Sequence, residues 1–332
     1  MTPGVLGLVL VASVAHALWN LVAKSVSGRG FAFVLAYHGL SAILLLPIAG
    51  WLVVSGAVAV DWRLLAASAV SAVIHIAYSV SLQSGYDHAP LGIVYPTARG
   101  AGPVITMLVA VALLGERPTG PELLGGLVVI AGIALVTAGG GRRRRMRVAG
   151  SSPEAAGGAD VDPDAAADAR GSSGTGRGFS GNDRGGVLRG LAWGGLIGTF
   201  IAAYTLWDDF AVNHITDSPL LYFAVSECVV AVLMTVGMIV CPGARARRAD
   251  LAAIAADHRA AVVAVAVLSP LAYLLVLYSM QQAPVSLVAP VRETSIVVGT
   301  LLAWWVFGER NLGPKLLGAA VVVTGIGCIA LG

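Results

Sequence analysis

Charge is scarce in this sequence. Only 12% of its 332 residues are Asp, Glu, Lys or Arg, against 57% hydrophobic, whereas soluble domains carry about 25% charged residues. With a mean hydropathy of +0.83, water is excluded as the main solvent. Cysteine is scarcer still, with three residues. Cys228, Cys241 and Cys328 show no metal or redox spacing, so they read as packing residues, and neither a metal nor a cofactor is expected. There is no phosphate-cradling glycine loop, which argues against ATP hydrolysis by this chain. There is also no H-E-x-x-H pattern and no nucleophile with a partner base. His16, His38 and His75 fall one to a helix. A membrane-embedded lipid-modifying enzyme or a sensor is therefore kept only as an alternative reading. The segment before the first apolar run, Met1, Thr2 and Pro3, holds no Lys or Arg. That run reads as a helix, not a signal peptide.

What the sequence does have is long apolar stretches near 4–24, 31–54, 63–83, 91–114, 121–139, 187–211, 218–241, 260–281, 285–307 and 313–331. A membrane-spanning helix needs about 20 such residues. The runs lack the alternation of a barrel strand, so an all-α bundle is the arrangement that satisfies every backbone group. The expectation is an integral membrane protein of ten transmembrane helices, multi-pass in the cell (plasma or inner) membrane.

One pattern is written twice. APLGIVYPTARG (89–100) and LLGERPTGPELLGG (113–126) are answered by APVSLVAPVRET (283–294) and VFGERNLGPKLLGA (306–319). Earlier in each half, His16, Trp19 and Asn20 have the spacing of Tyr204, Trp207 and Asp208, which places each trio on one helix face. Five spans per copy is odd, so the two repeats lie inverted in the membrane, with residues 1–139 as the first half and 187–332 as the second. Between them, residues 140–186 open on Arg142–Arg145 and Arg147 and continue through Asp160, Asp162, Asp164 and Asp168. They read as a flexible linker whose arginines set topology and touch anionic lipid; nucleic acid is not an expected partner.

Two five-helix halves, each with an A-P pair, a proline-interrupted helix, G-E-R and a glycine-rich last helix, resemble the EamA-type members of the drug/metabolite transporter superfamily. HALWNLVAKS and APVRETS are also similar to a subgroup associated with phosphonate utilisation. The resemblance implies a secondary transporter working by alternating access, with an amino acid, a phosphonate or a drug-like compound among the substrates. It also implies termini on the cytoplasmic side. The charge distribution implies the reverse. Setting aside Arg99 and Arg292, the loops holding Lys24, Arg29, the linker with Arg189, Arg245, Arg247, Arg248, Arg259, Arg310 and Lys315 alternate with loops holding only Arg63 and Arg117.

Polar residues inside apolar runs are the functional leads. Arg99 follows Pro90 and Pro96, and Arg292 with Glu293 follows Pro290. These prolines loosen helices beside groups able to bind an anion through forked hydrogen bonds. Structural ion pairing of either arginine with Glu293 or Glu227 is the competing reading. Trp19, Asn20, Trp207, Tyr78 and Tyr273 are candidates to line the substrate site. Glu227, Asp208 and His16 are candidates for coupling to protons. His38 reads as a hydrogen-bonded packing residue. Glu116 with Arg117, and Glu309 with Arg310, read as ion pairs capping the following helix. The expected partners are membrane lipids, a small-molecule substrate, and a proton or counter-solute; a homodimer is compatible with the sequence.

Overall fold

A computed structural model of the chain describes residues 1–24, 26, 30–89, 91–149, 184–240, 243–307 and 313–332. No strand occurs among them. The first half comprises α1 (Pro3–Lys24), α2 (Gly30–Val54), α3 (Trp62–His88), α4 (Leu91–Ala112) and α5 (Gly120–Ala149). The second comprises α6 (Arg184–His214), α7 (Pro219–Val240), α8 (Ala244–Asp257), α9 (Arg259–Met280), α10 (Val285–Arg292), α11 (Ser295–Phe307) and α12 (Gly313–Leu331).

Among the described residues, six helices are long and apolar enough to cross a membrane: α1, α2, α3, α6, α7 and α9. Gly120–Leu135 of α5 and Leu316–Leu331 of α12 are shorter apolar segments. The run at 285–307, expected as one span, is two helices. Glu293 N–H returns to the Pro290 carbonyl at 3.1 Å, and Ile296 N–H to the Glu293 carbonyl at 3.0 Å. These tight i→i−3 bonds break the α-ladder just after Pro290. A further difference is α8, a short polar helix between two spans where a loop was expected. The segment expected as a linker is helical up to Ala149 and again from Arg184; its remainder, like Glu309 and Arg310, lies outside the described residues.

Helix packing follows the internal repeat. If α1 exchanges with α6, α2 with α7, α3 with α9, α4 with α10–α11 and α5 with α12, the observed contacts map onto one another. α1 packs on α9 as α6 does on α3, and α1 on α11 as α6 does on α4; α2 meets α7, α4 meets α10, and α5 meets α12. Small residues set the close crossings. Gly190, Gly194 and Gly198 of α6 lie against Ile93, Thr97 and Ala101 of α4, where a methyl group at each would fall 2.8, 2.5 and 2.6 Å from those side chains. On α5 and α12, a methyl on Gly125 would lie 2.6 Å from the Gly325 carbonyl oxygen. The outward surface is apolar, with Ile43, Leu46, Leu108, Val232 and Val263 exposed, as a lipid-facing belt requires.

Candidate functional site

The two prolyl helices place their charged groups together. Glu293, 1% exposed, is bracketed by an arginine from each half: Arg99 Nη1 lies 3.2 Å from one carboxylate oxygen and Arg292 Nη2 3.5 Å from the other. Arg292 also donates to the Tyr204 hydroxyl at 3.3 Å, and its own carbonyl accepts from Ser13 Oγ at 3.1 Å. The Arg99 guanidinium lies 5.7 Å from the Tyr95 ring centre, and that of Arg292 5.8 Å from that of Tyr204. Two guanidinium groups share the one carboxylate in direct contact with them. A second anion would be well received there.

His16 lies within electrostatic reach of both guanidinium groups. Its Nε2 is buried without a hydrogen-bond partner, a costly state for a polar atom unless something joins it. Aromatic side chains wall the cluster. The His75 ring stacks on Tyr204 at 4.3 Å, with Tyr78 edge-on to Tyr204 at 5.7 Å and Tyr273 edge-on to His75 at 5.7 Å. Asp208, fully buried, accepts from the Tyr222 hydroxyl at 2.6 Å and from the Tyr273 hydroxyl. Arg99, Arg292, Glu293, His16, Tyr78, Tyr273 and Asp208 therefore belong to one connected region, drawn from α1, α3, α4, α6, α9 and the α10–α11 break.

Other expected residues stand apart from it. Asn20 Nδ2 donates to the His16 carbonyl of its own helix at 2.7 Å. Trp19 packs in a separate cluster with Phe33, Val262 and Val265, although its ring meets His16 at 5.0 Å. Trp207 Nε1 donates to the Ala67 carbonyl at 3.0 Å, so its polar edge is used in packing α6 on α3.

Glu227 pairs with neither arginine. Its Oε2 lies 2.8 Å from His38 Nδ1, joining α2 to α7. His38 is thus half of an interhelical hydrogen-bonded pair. The two positions differ by 189, close to the 188 that separates His16 from Tyr204. They are near-equivalents in the two repeats, meeting where the repeats face each other.

Glu116 serves the opposite half of the chain. Gly115, with φ +72°, ends α4 in a left-handed turn that suits glycine. The Glu116 carboxylate then reaches the other half of the chain, accepting from the N–H groups of Val285 at 2.8 Å and Ser286 at 3.0 Å. It caps α10, not the helix that follows it. At the start of α5 that task falls to Thr119 and Glu122, through a reciprocal set of bonds from Thr119 N to Glu122 at 2.9 Å and from Glu122 N to Thr119 at 3.4 Å.

Tyr222, Ser13 and the Gly190, Gly194, Gly198 ladder are members of the site or its scaffold that local sequence reading leaves out. Only the glycine ladder has a sequence signal, its four-residue spacing. Among the described residues, no group of three or more His, Cys, Asp or Glu side chains is placed to hold a metal ion.

Comparison with known proteins adds the lineage. A solved structure titled only "Crystal structure of protein" superposes with a TM-score of 0.67 at 16% identity, covering 100% of this chain and 98% of that one. At that identity the likeness speaks for the fold alone. No curated protein matches. The family model for EamA-like transporters matches residues 3–138 and again 188–331, one match for each half. The chain is a multi-pass membrane protein and belongs to the EamA-like transporter family.

Proposed function

We propose that the chain is a secondary transporter that crosses the cell membrane ten times, as two inverted five-helix halves, and moves a small metabolite by alternating access. The observation that carries this reading is the meeting of Arg99, from the first repeat, and Arg292, from the second, on the single carboxylate of Glu293. A site shared by two inverted halves is where a rocking scaffold can present cargo to either side. The break at Glu293–Thr294 supplies a joint beside it.

In this reading an anionic group of the cargo, a carboxylate or a phosphonate, competes with Glu293 for a guanidinium and meets the unpartnered His16 Nε2. Tyr78, Tyr204 and Tyr273 face its body. Amino acids, phosphonates and drug-like anions all fit that description. Protons or a counter-solute drive the movement. The His38–Glu227 pair is the first place to look for a proton, and Asp208, whose carboxylate is held by two phenols, is a positioning group.

Flux into proteoliposomes tests the proposal, using labelled L-amino acids, 2-aminoethylphosphonate and an organic-anion drug, with and without a pH gradient. At least one probe is expected to accumulate, and Arg99→Ala and Arg292→Ala each to abolish it. If no probe moves, or if flux is indifferent to both substitutions, the site assignment is wrong.

A further inference from the structure

Away from the arginine cluster, the end of α1, the end of α8 and the start of α9 enclose an open groove of about 630 Å³. Its walls are apolar and small: Val22 on one side, with Ala260, Ala261 and Ala264 of α9 on the other. Asp257, His258 and Arg259 form its rim. Alanines at i, i+1 and i+4 leave a furrow along α9 where larger residues would fill it.

The surroundings locate this groove at the membrane boundary. α8 joins the ends of two spans, α7 and α9, and lies against α2 through Ile254, which is fully buried with Ala32 and Phe33. Its first turns carry Arg245, Arg247 and Arg248. Arg245 and Arg248 are exposed. Arg247 bends back, its guanidinium 5.9 Å from the Phe31 ring centre and 3.4 Å from the Met238 carbonyl oxygen. From 244 to 259 there are four arginines against Asp250 and Asp257, so this end of the bundle is positive where headgroups lie.

We infer that the groove is a binding site for one anionic phospholipid, its phosphate on Arg259 and His258 and an acyl chain along Val22, Ala260 and Ala264. A soluble phosphate compound would find the same rim but could not use the apolar furrow, which has no role unless a chain fills it. Asp257 shares the rim, so the site suits a single phosphate with hydroxyl groups beside it over a multiply charged headgroup. The lipid bridges α1 and α9, a contact between the two halves. The inference rests on the membrane-protein assignment and is independent of any substrate.

Native mass spectrometry of the full chain, purified in detergent and offered equimolar phosphatidylglycerol and phosphatidylcholine, tests it. Phosphatidylglycerol adducts are expected to dominate, and Arg259→Gln to reduce that preference about fivefold, the factor for roughly 1 kcal/mol per basic side chain near a membrane surface. Ala260→Trp, which keeps the charge and fills the furrow, is expected to remove the preference as well. Both positions are exposed, and size-exclusion profiles check that the variants stay folded. Equal retention of the two lipids would overturn the inference. So would a preference that survives both substitutions but falls with Arg245→Gln and Arg248→Gln, which would mean diffuse surface charge. Competition by soluble glycerol phosphate at the same concentration would replace the lipid with a headgroup-only site. None of these outcomes depends on solute flux.

Discussion

Glu116 makes a contact whose cost can be worked out. Its carboxylate serves two backbone N–H groups, Val285 at 2.8 Å and Ser286 at 3.0 Å, and both residues are fully buried. Removing the acceptor leaves two donors that water does not reach, each costing about 1–3 kcal/mol. The loss of a negative charge at a helix N-terminus adds about 0.3–1 kcal/mol. With partial relaxation, Glu116→Ala should destabilise by roughly 2–4 kcal/mol. Glu116→Gln keeps one acceptor oxygen and should lose about half of that. Arg117 is exposed, so Arg117→Ala should stay within about 0.5 kcal/mol. Thermal unfolding of the purified protein in detergent, followed by tryptophan fluorescence, should give the order Ala below Gln below wild type, with Arg117→Ala unshifted. A Glu116→Ala variant as stable as wild type would refute the cap. An equal loss in Arg117→Ala would restore the local ion pair as the motif's purpose.

Two further predictions concern the interior. Glu293→Ala leaves two guanidinium groups facing each other without their shared partner, and breaking a buried pair typically costs about 3–5 kcal/mol. The variant should show a sharply lowered Tm and yield, and the double variant Arg99→Gln with Glu293→Gln should recover part of the loss. Independent, additive effects would show that the pair is not coupled. Gly125→Ala would drive a methyl to 2.6 Å from the Gly325 carbonyl oxygen and should cost about 1–3 kcal/mol. Gly195→Ala has no atom within 4 Å of the added carbon and should leave Tm unchanged or slightly raised.

Six of the apolar spans, α1, α2, α3, α6, α7 and α9, were legible because hydropathy sums over about 20 residues, and local detail hardly disturbs such a sum. Arg99, Arg292 and Glu293 were legible for the opposite reason, as single charges whose presence in an apolar run demands an explanation. The same sum is blind to the α10–α11 break. Within 285–307 the polar residues Ser286, Arg292, Glu293, Thr294, Ser295 and Thr300 are outweighed by apolar ones, and Pro96 in α4 sits in an equivalent position without interrupting its helix. Glu116 could be singled out from its repetition, yet its partners are 169 and 170 residues away. Local spacing pointed to the next helix, whereas the bond is made to the other half. His38 and Glu227 look like isolated residues on separate helices. Their offset, nearly that of the repeat, is the clue that they meet, and it is usable only once α2 and α7 are known to face each other.

The two faces of the bundle can be told apart by charge, and that bears on orientation. Met1 lies 3.0 Å from Glu122, and a methyl on Gly332 would fall 2.9 Å from Thr119 Oγ1. Both termini thus meet the start of α5, on the face where Glu116 caps α10. Arg117 stands on this face, and Arg63, just inside α3, follows the turn out of α2. Val22, near the other end of α1, lines the groove with His258 and Arg259, so α8 and its arginines occupy the opposite face. Moving a charge against the membrane potential costs about 2.3 kcal/mol per 100 mV, and the bias is strongest for basic residues close to span ends. Arg245, Arg247, Arg248 and Arg259 all lie there. The α8 face is therefore expected to be cytoplasmic and both termini external, against the orientation that family resemblance implies. Alkaline phosphatase fused after Gly332 should be active and a fluorescent protein at the same point dark. The reverse result would place the arginines of α8 outside, and with them the lipid groove in the outer leaflet.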